Sequence, residues 1–544
     1  MPTIRSKKLA RITGALDWRN AMGVVEILRG PEVAARGLDD KGRLRSGRLK
    51  GLSMGMAIWV LSWPIMVESA LNALVGLTDT ILASHIGDGS GLLGVPAVDA
   101  VDAISAASYI MWFIGLTFMS LGMGATSLIA RSVGRGRMGV AGAAMAQCLT
   151  LSVVLSAAVG VLVAISTLWI PGFMGLSDAG AKAFAHYMLI ISAGTPIAGL
   201  LFGGIACLRG AGDSVRPLWA MIARNLVNIV VSFVLSGISL PFLENPFGFN
   251  MGILGIAIGT VAGDTVGAAM ILGYCLVGKS GVRLRLRRLR PHWHTISRLI
   301  RLGLPNYFET LGMWAGNFAV VFFVAHLTLR EALEGVAGSG DASAGLLGSH
   351  MWAIRIEALS FLPGFAMGIA AATLAGQYLG AGSPRQAIRG VLICCALATS
   401  FMGIIGACLF LFPHAITRAL TPVPEHHATV PTLLMICGVV QIPFAISIVF
   451  RQALRGVGDV RVVMALTWLT TYGVRLPAAY LLSGVRMPLP QFLGGGELPN
   501  PMGELMGWEP SLSRLWLALC GELVIRATVF AIRFGQGTWT KIRV

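Results

Sequence analysis

CLRGAGD at residues 207–213 and ALRGVGD at residues 453–459 are two copies of one motif, 246 positions apart. The same offset aligns SVGRG (132–136) with YLGAG (378–382). A single matched pair would be weak evidence, because short Gly-bearing turns arise independently at helix ends. Several matched stretches in the same order indicate an internal repeat of about half the chain.

The chain is too apolar for a soluble protein of its size. Of its 544 residues, 55% are hydrophobic and 12% are charged, and the mean hydropathy is +0.75. A helix that crosses a bilayer needs about 20 mostly apolar residues. Such runs predict an all-α polytopic membrane protein with twelve spans. We place them near residues 55–86, 99–130, 140–170, 181–208, 217–242, 251–278, 296–327, 346–378, 385–412, 428–454, 460–484 and 511–535.

The repeat extends to the start of each half, where the offset becomes 241. WPIMVE (63–68) aligns with LPNYFE (304–309), which pairs Pro64 with Pro305 and Glu68 with Glu309. Because each half has six spans, both halves enter the membrane with the same orientation. Parallel repeats of this kind are typical of transporters, with the substrate site expected at mid-depth between or within the halves.

The net charge of +17 is explained by topology rather than by a nucleic-acid partner. Lys and Arg gather in the connections after even-numbered spans, for example in 131–137 and 279–290, and at the C-terminus. The other connections carry few bases and several acids. The positive-inside rule then predicts that both termini lie in the cytoplasm.

These patterns divide the chain into five segments: a basic N-terminal tail (1–50), a first six-helix half (51–278), a basic linker (279–295), a second half (296–535) and a C-terminal tail (536–544). We expect the N-terminal tail to lie on anionic lipid, with disorder without function as the alternative. The eight cysteines fall in predicted spans without zinc-type spacing, so the sequence predicts neither disulfides nor a metal site.

Span 1 carries polar side chains on one face. Asp79 follows Glu68 by eleven residues, which returns to within roughly 20° of the same face, and Asn72 lies on that stripe. A carboxylate at mid-depth costs a few kcal/mol, so its presence favours a function such as ion coupling. Pro64 removes a backbone hydrogen bond and supplies a candidate hinge. A structural carboxylic acid is the alternative for Asp79 and, more strongly, for Glu68, which has a twin at Glu309.

Other spans carry further candidates. Thr260 and Asp264 share a face of span 6 at i, i+4 spacing, and Asn228 lies in span 5. Arg355 and Glu357 lie in span 8 but are two residues apart, so they do not share a face. Four charged residues closer to span ends are interpreted as snorkelling to the interface: Arg224, Arg475, Glu522 and Arg526.

With these residues in view, the chain resembles the multidrug and toxic compound extrusion (MATE) family of secondary antiporters from about residue 50 to 535. The resemblance rests on Pro64 followed by TDT at 78–80, on ARSVGRG after span 2 and on the two LRGxGD motifs. The most specific stretch is IRIEALSFLPGFAMGIAAATLAGQYLGAG (354–382), which is similar to the family's span 8. The resemblance implies two six-helix bundles in a V around a central cavity.

The resemblance also implies roles for individual residues. Asp79 matches the first-half aspartate that family members use for cation coupling and substrate release, and Pro64 matches the proline where their first helix bends. Asn228 and Thr260 match polar residues of the family's spans 5 and 6.

The chain departs from the family pattern at two places. Many members have Asp four residues after the span 5 asparagine; here that residue is Ser232, and Asp264 is the candidate substitute. In the second half, span 10 has no carboxylate, and Glu309 lies earlier in span 7 than the family's usual glutamate. These differences favour proton coupling through the first half.

The sequence therefore predicts a non-enzymatic antiporter of the cell membrane that exports amphipathic, cationic organic compounds by alternating access. The coupling ion is expected to be H⁺, with Na⁺ at Asp79 as the alternative, and no cofactor is expected. Its partners are a small organic substrate and membrane lipids but no nucleic acid, and nothing requires more than a monomer. The second-half candidates are Glu309, Arg355 and Glu357.

Two other functions stay open. A flippase for lipid-linked precursors shares the two-lobed plan, but such proteins often carry several basic side chains in the cavity, and Arg355 is the deep base that the sequence suggests here. A polytopic membrane enzyme is disfavoured because the chain has no HExxH motif, no paired aspartate motif and no clustered His in a span. The chain also has no GxxxxGK[ST] motif, so an ion gradient rather than ATP is expected to drive transport.

Overall fold

The computed structural model describes residues 23–30, 35–86, 92–174, 176–239, 244–247, 249–333, 342–420, 426–488 and 497–542. These residues are nearly all helical, which confirms the predicted fold class. The N-terminal tail contains α1 Gly23–Arg29. The first half contains α2 Met54–Ser84, α3 Ala97–Gly134, α4 Met138–Ser166, α5 Ile170–Phe173, α6 Asp178–Gly210, α7 Val215–Ser236 and α8 Ile253–Val277.

The second half begins after a short 3₁₀ turn at Leu286–Arg288. Its helices are α9 Trp293–Leu333, α10 Ala342–Ser360, α11 Leu362–Ala381, α12 Pro384–Leu411, α13 Pro413–Leu420, α14 His426–Val439, α15 Gln441–Gly456, α16 Val460–Thr470, α17 Leu476–Ser483, α18 Pro501–Met506 and α19 Leu512–Gly535. A 3₁₀ turn at Thr538–Lys541 follows. Two-residue strands at Met487–Pro488 and Glu497–Leu498 pair antiparallel.

Among the described residues, nine helices are long and apolar enough to cross a membrane. Two bent helix pairs in the same residues are long and apolar enough when each is taken together, which gives up to eleven spans: α10 and α11 meet at 45°, and α14 and α15 meet at 55°. α16, a π-helical turn at Thr471–Arg475 and α17 follow one another without interruption where span 11 was predicted. Helical segments thus lie at each of the twelve predicted spans, with bends in spans 8 and 10 that the apolar pattern did not reveal.

Among the described residues, the two halves share part of their hydrophobic packing and keep the rest separate. One core contains residues of the first half alone, from Leu82 to Ala257, and another contains residues of the second half alone, from Val320 to Leu523. The other two large cores mix residues of both halves or of the N-terminal segment. The halves are therefore joined at one end and have separate cores at the other, as in a V.

The joined end is the one with the basic connections, and we call it the basic end: residues 135–137, 211–214, 278–292, 382–383 and 457–459. Here the repeated glycines make the close approach possible. A Cβ on Gly134 would overlap the Gln377 carbonyl, and a Cβ on Gly380 would overlap the Arg131 carbonyl. Gln377 Nε2 also donates to the Gly210 carbonyl at 3.1 Å across the halves.

Gly134→Ala should weaken this junction, because the added methyl group meets backbone atoms that cannot move aside. We expect spin labels on the exposed residues 137 and 389 to show a longer distance distribution in the variant than in wild type. Gly55→Ala, where an added Cβ meets nothing within 4 Å, is the matched control. An unchanged distribution in Gly134→Ala would contradict the assigned junction.

An N-terminal segment crosses the basic end and contacts both halves. We call residues 35–53 the strap. The Gly37 amide donates to the Ala381 carbonyl of the second half at 3.2 Å, and the Ser46 hydroxyl donates to the Val133 carbonyl of the first half at 2.6 Å. Leu38, Leu44 and Leu49 are buried. This part of the predicted tail is thus folded against protein, since its three leucines find apolar cover there.

Candidate functional site

The internal repeat becomes two matched ion pairs. In the first half, Arg209 Nη2 lies 2.6 Å from Glu68 Oε2. In the second half, Arg455 contacts both oxygens of Glu309, at 2.9 Å from Nε to Oε2 and 2.7 Å from Nη2 to Oε1. Each pair joins the helix that carries the repeated proline to the helix that ends in LRGxGD. The pairing of Glu68 supports the structural alternative for this residue.

The other polar residues of the span 1 stripe are only partly described. α2 runs through Pro64 without interruption, and Pro64 is buried. Asn72 is exposed, whereas Glu68 is buried, so these two residues have different surroundings. Asp79 lies in α2, but its side chain is outside the described part of the chain. Its coupling role therefore stays a prediction.

The predicted polar residues of spans 5 and 6 do meet. Asn228 Nδ2 donates to Thr260 Oγ1 at 3.1 Å. The approach of α7 to α8 depends on glycines at every fourth position of α8, where a Cβ would overlap atoms of α7. These glycines are Gly255, Gly259 and Gly263.

Asn228 is 1% exposed, and its Oδ1 has no hydrogen-bond partner among the described residues. Ser232 bonds elsewhere, to the Ile256 carbonyl at 3.4 Å. A buried amide oxygen without a partner is unfavourable, so this acceptor is available to a ligand or a water molecule.

Arg224 forms an ion pair with Asp264 rather than reaching the interface. Its Nε lies 2.6 Å from Asp264 Oδ1, and its Nη1 donates to Asn225 Oδ1 at 3.1 Å. The side chains of Arg224 and Asp264 are 13% and 10% exposed. The snorkelling interpretation of Arg224 is therefore wrong, because a carboxylate one helix away lies within its reach.

A cavity of about 140 Å³ lies between α3, α6, α7 and α8, beside this ion pair. Its polar lining consists of Thr195, Thr260, Arg224 and Asp264, and the rest is apolar or glycine, including Phe118 and Phe202. An apolar pocket with a few convergent polar groups is the usual form of a small-molecule site. Drug-sized ligands fill about 300 Å³ or more, so such a ligand requires this cavity to widen.

The second half contains a buried charged cluster that the sequence reasoning missed. Arg526 Nε lies 2.7 Å from Glu522 Oε1, and its guanidinium also bonds the hydroxyls of Thr470 and Thr471 at 3.2 and 3.0 Å. Glu522 and Arg526 are 1% and 4% exposed, so their interpretation as snorkelling side chains is wrong. Their i, i+4 spacing was the available signal, since it places both on one face of α19.

The same cluster continues to the π-helical turn of span 11. Arg475, at the end of that turn, donates to Asn317 Oδ1 at 2.8 Å. The half-buried Glu357 lies close to Arg475 and to the Cys437 thiol. Arg355 is instead exposed and lies 5.8 Å from the Trp352 ring centroid. Arg355 and Glu357 thus have different neighbours, as their spacing predicts.

Arg451 and Arg455 lie near the predicted end of span 10, but the structure does not place them in a connection. Both lie within α15, and Arg455 is 5% exposed. Together with Arg475 and Arg526, they are four arginines that lie within helical segments of the second half. The same half carries the glutamates Glu309, Glu357 and Glu522.

Comparisons with known proteins agree with this architecture. The chain is 25% identical over 482 residues to a probable multidrug resistance protein NorM from Thermotoga maritima, covering 88% of this chain and 92% of that protein. A crystal structure of MATE in the bent conformation superposes with a TM-score of 0.70 at 20% identity, covering 90% of this chain and 96% of that one. MATE in the straight conformation gives the same TM-score and identity, with coverages of 96% and 99%.

The family profile MatE matches the chain twice, over residues 64–234 and residues 305–481. The two matches lie in the two halves that the internal repeat defines. Because they span more than half of the chain, this protein belongs to the MatE family and is a multi-pass membrane transporter of the multidrug extrusion type, not an enzyme.

Proposed function

We propose that this transporter is a proton-coupled antiporter that exports amphipathic organic compounds by alternating access. The observation that carries the proposal is the V-shaped division into halves joined at the basic end, with an apolar cavity inside the first half. Each half also has a core of its own, so the halves can move relative to each other as rigid bodies. Such a movement can open the basic end without unfolding either bundle. The relative from Thermotoga maritima, described as a probable multidrug resistance protein, supports drugs as the substrate class.

Asp79 is the proposed coupling acid. Protonation from the outside removes its charge, α2 bends at Pro64, the first-half cavity shrinks and the substrate leaves. Solved family structures described as bent and straight support a bending step. One inward proton contributes about 2.3 kcal/mol per 100 mV of membrane potential, which can sustain a roughly tens-fold gradient of a neutral substrate. Na⁺ is the alternative ion.

We also propose how the protein is oriented in the membrane. The basic end faces the cytoplasm, as the positive-inside rule requires, and both termini lie there with it. The structure then corresponds to a state that is closed toward the cytoplasm. The protein acts as a monomer in the cell membrane, surrounded by lipid, and cationic compounds are among its substrates.

The test is uptake of ethidium into inside-out vesicles under an imposed proton gradient and, separately, an imposed sodium gradient. Proton-driven uptake supports the proposal. Uptake driven by sodium alone would overturn proton coupling but keep the antiporter.

Absence of uptake under both gradients would overturn the antiporter in favour of a lipid-linked precursor flippase. The buried arginines of the second half give that alternative some support, yet Arg455 and Arg526 are already paired with glutamates. Paired arginines are poor receptors for a phosphate, because binding would have to break an existing buried ion pair.

A further inference from the structure

We propose that Arg224 is a specificity-determining residue: it is the built-in counter-ion of Asp264, and it cancels the charge that Asp264 would otherwise add to the wall of the first-half cavity. The cavity therefore selects amphipathic molecules by their apolar body, and it accepts uncharged, zwitterionic and anionic compounds as well as cations. This inference rests on the proposed function, because it names the substrate class of the same cavity.

The charge of the described cavity wall comes from one ion pair. Among the described residues that line the cavity, Arg224 and Asp264 are the charged ones, and they contact each other at 2.6 Å. Opposite unit charges at this separation largely cancel at the distance of a bound ligand. The neighbouring Asn228–Thr260 hydrogen bond adds polarity but no net charge.

The Arg224–Asp264 pair is held together by its surroundings. Arg224 is anchored by its second bond to Asn225, and both charged side chains are mostly buried. Removing one member of a buried ion pair leaves an uncompensated charge, which is strongly unfavourable unless another ion replaces it. A cationic ligand must therefore compete with Arg224 for Asp264, and an anionic ligand must compete with Asp264 for Arg224, whereas a ligand without charge does not disturb the pair.

Substitution of either member of the pair leaves a charge in the cavity wall. Arg224→Gln leaves the Asp264 carboxylate as an unpaired negative charge in the wall, and Asp264→Asn leaves the guanidinium as an unpaired positive charge. The double variant Arg224→Gln/Asp264→Asn adds no net charge to the wall, and it carries two uncharged side chains, of which Gln is shorter than Arg. In wild type, Arg224→Gln, Asp264→Asn and the double variant, the pair thus contributes no net charge, one negative charge, one positive charge and no net charge.

The experiment measures binding of two dyes with the same xanthene scaffold to purified protein in detergent at neutral pH. Rhodamine 123 is a cation, and fluorescein methyl ester is an anion. We expect the wild type and the double variant to bind both dyes with similar affinity. Arg224→Gln should favour the cation by about tenfold, and Asp264→Asn should favour the anion by about tenfold, as expected for one unit charge near a ligand at intermediate dielectric.

Arg224→Lys, which keeps the positive charge, should behave like wild type. Melting temperature and gel-filtration profile check that each variant is folded, and a purely structural role of the pair would weaken both dyes alike. A cation preference in wild type that the charge series leaves unchanged would overturn the inference. Ethidium uptake by wild-type vesicles is measured in parallel, so that loss of transport, which concerns the proposed function, is distinguished from an unchanged dye preference.

Discussion

Proton-driven uptake of ethidium is expected to be lost in Asp79→Asn. Asparagine is close to aspartate in shape but cannot take up or release a proton, so the variant retains the packing of α2 and loses the coupling step. Inserting a carboxylate into the bilayer costs a few kcal/mol on insertion scales, so the substitution itself should not lower the amount of folded protein. The measurement compares initial uptake rates in inside-out vesicles at equal protein level.

Glu68→Gln is the informative control for this experiment. Glu68 lies on the same helix but is paired with Arg209 at 2.6 Å, which assigns it to packing. We expect the Glu68→Gln protein to be less stable yet still driven by protons. Coupling that survives in Asp79→Asn and disappears in Glu68→Gln would exchange the two assignments. Coupling that survives in both would direct attention to Glu309 and Glu357.

Arg455→Met should lower the free energy of unfolding by about 3–5 kcal/mol, the range measured when one member of a buried ion pair is removed. Glu309 is fully buried and depends on Arg455 for two of its contacts and on the Thr467 hydroxyl, at 2.8 Å, for a third. Methionine fills the space of the arginine stem but leaves the carboxylate without its counter-ion.

The internal repeat supplies the matched variant, Arg209→Met. The first-half pair has side-chain exposures of 17% and 7%, against 5% and 0% in the second half, so Glu68 retains more contact with its surroundings when its arginine is removed. We therefore expect a smaller loss there, measured by SDS titration in mixed micelles. The double variant Glu309→Leu/Arg455→Met should recover most of the loss. Equal losses in the two halves would argue against burial as the cause.

The elements that the sequence predicted best are those with a repeated local signal. Apolar runs located the spans, and the matched glycines and LRGxGD motifs located the halves. The alignment of Glu68 with Glu309 also carried structural information, since both glutamates proved to contact the arginine of their LRGxGD motif.

The elements that it missed depend on partners distant in the chain. Arg224, Glu522 and Arg526 lie close to predicted span ends and therefore resemble snorkelling residues. Nothing in the local sequence reveals that a carboxylate or a hydroxyl lies on a neighbouring helix. The bends in spans 8 and 10 were missed for a related reason: both pieces of each pair are apolar, so hydropathy is continuous across the break. The three buried leucines of the strap do not recur with the period of a helix or a strand. Their packing could therefore not be predicted from the sequence.

The strap also limits how far the basic end can open. Its bond from Gly37 to the second half and its bond from Ser46 to the first half are nine residues apart. An extended chain covers at most about 3.6 Å per residue, so these two anchors can separate to about 30 Å while both remain attached. The turn inside the strap, closed by the Arg45 amide and the Gly37 carbonyl at 3.0 Å, would then act as stored length that is released as the halves part.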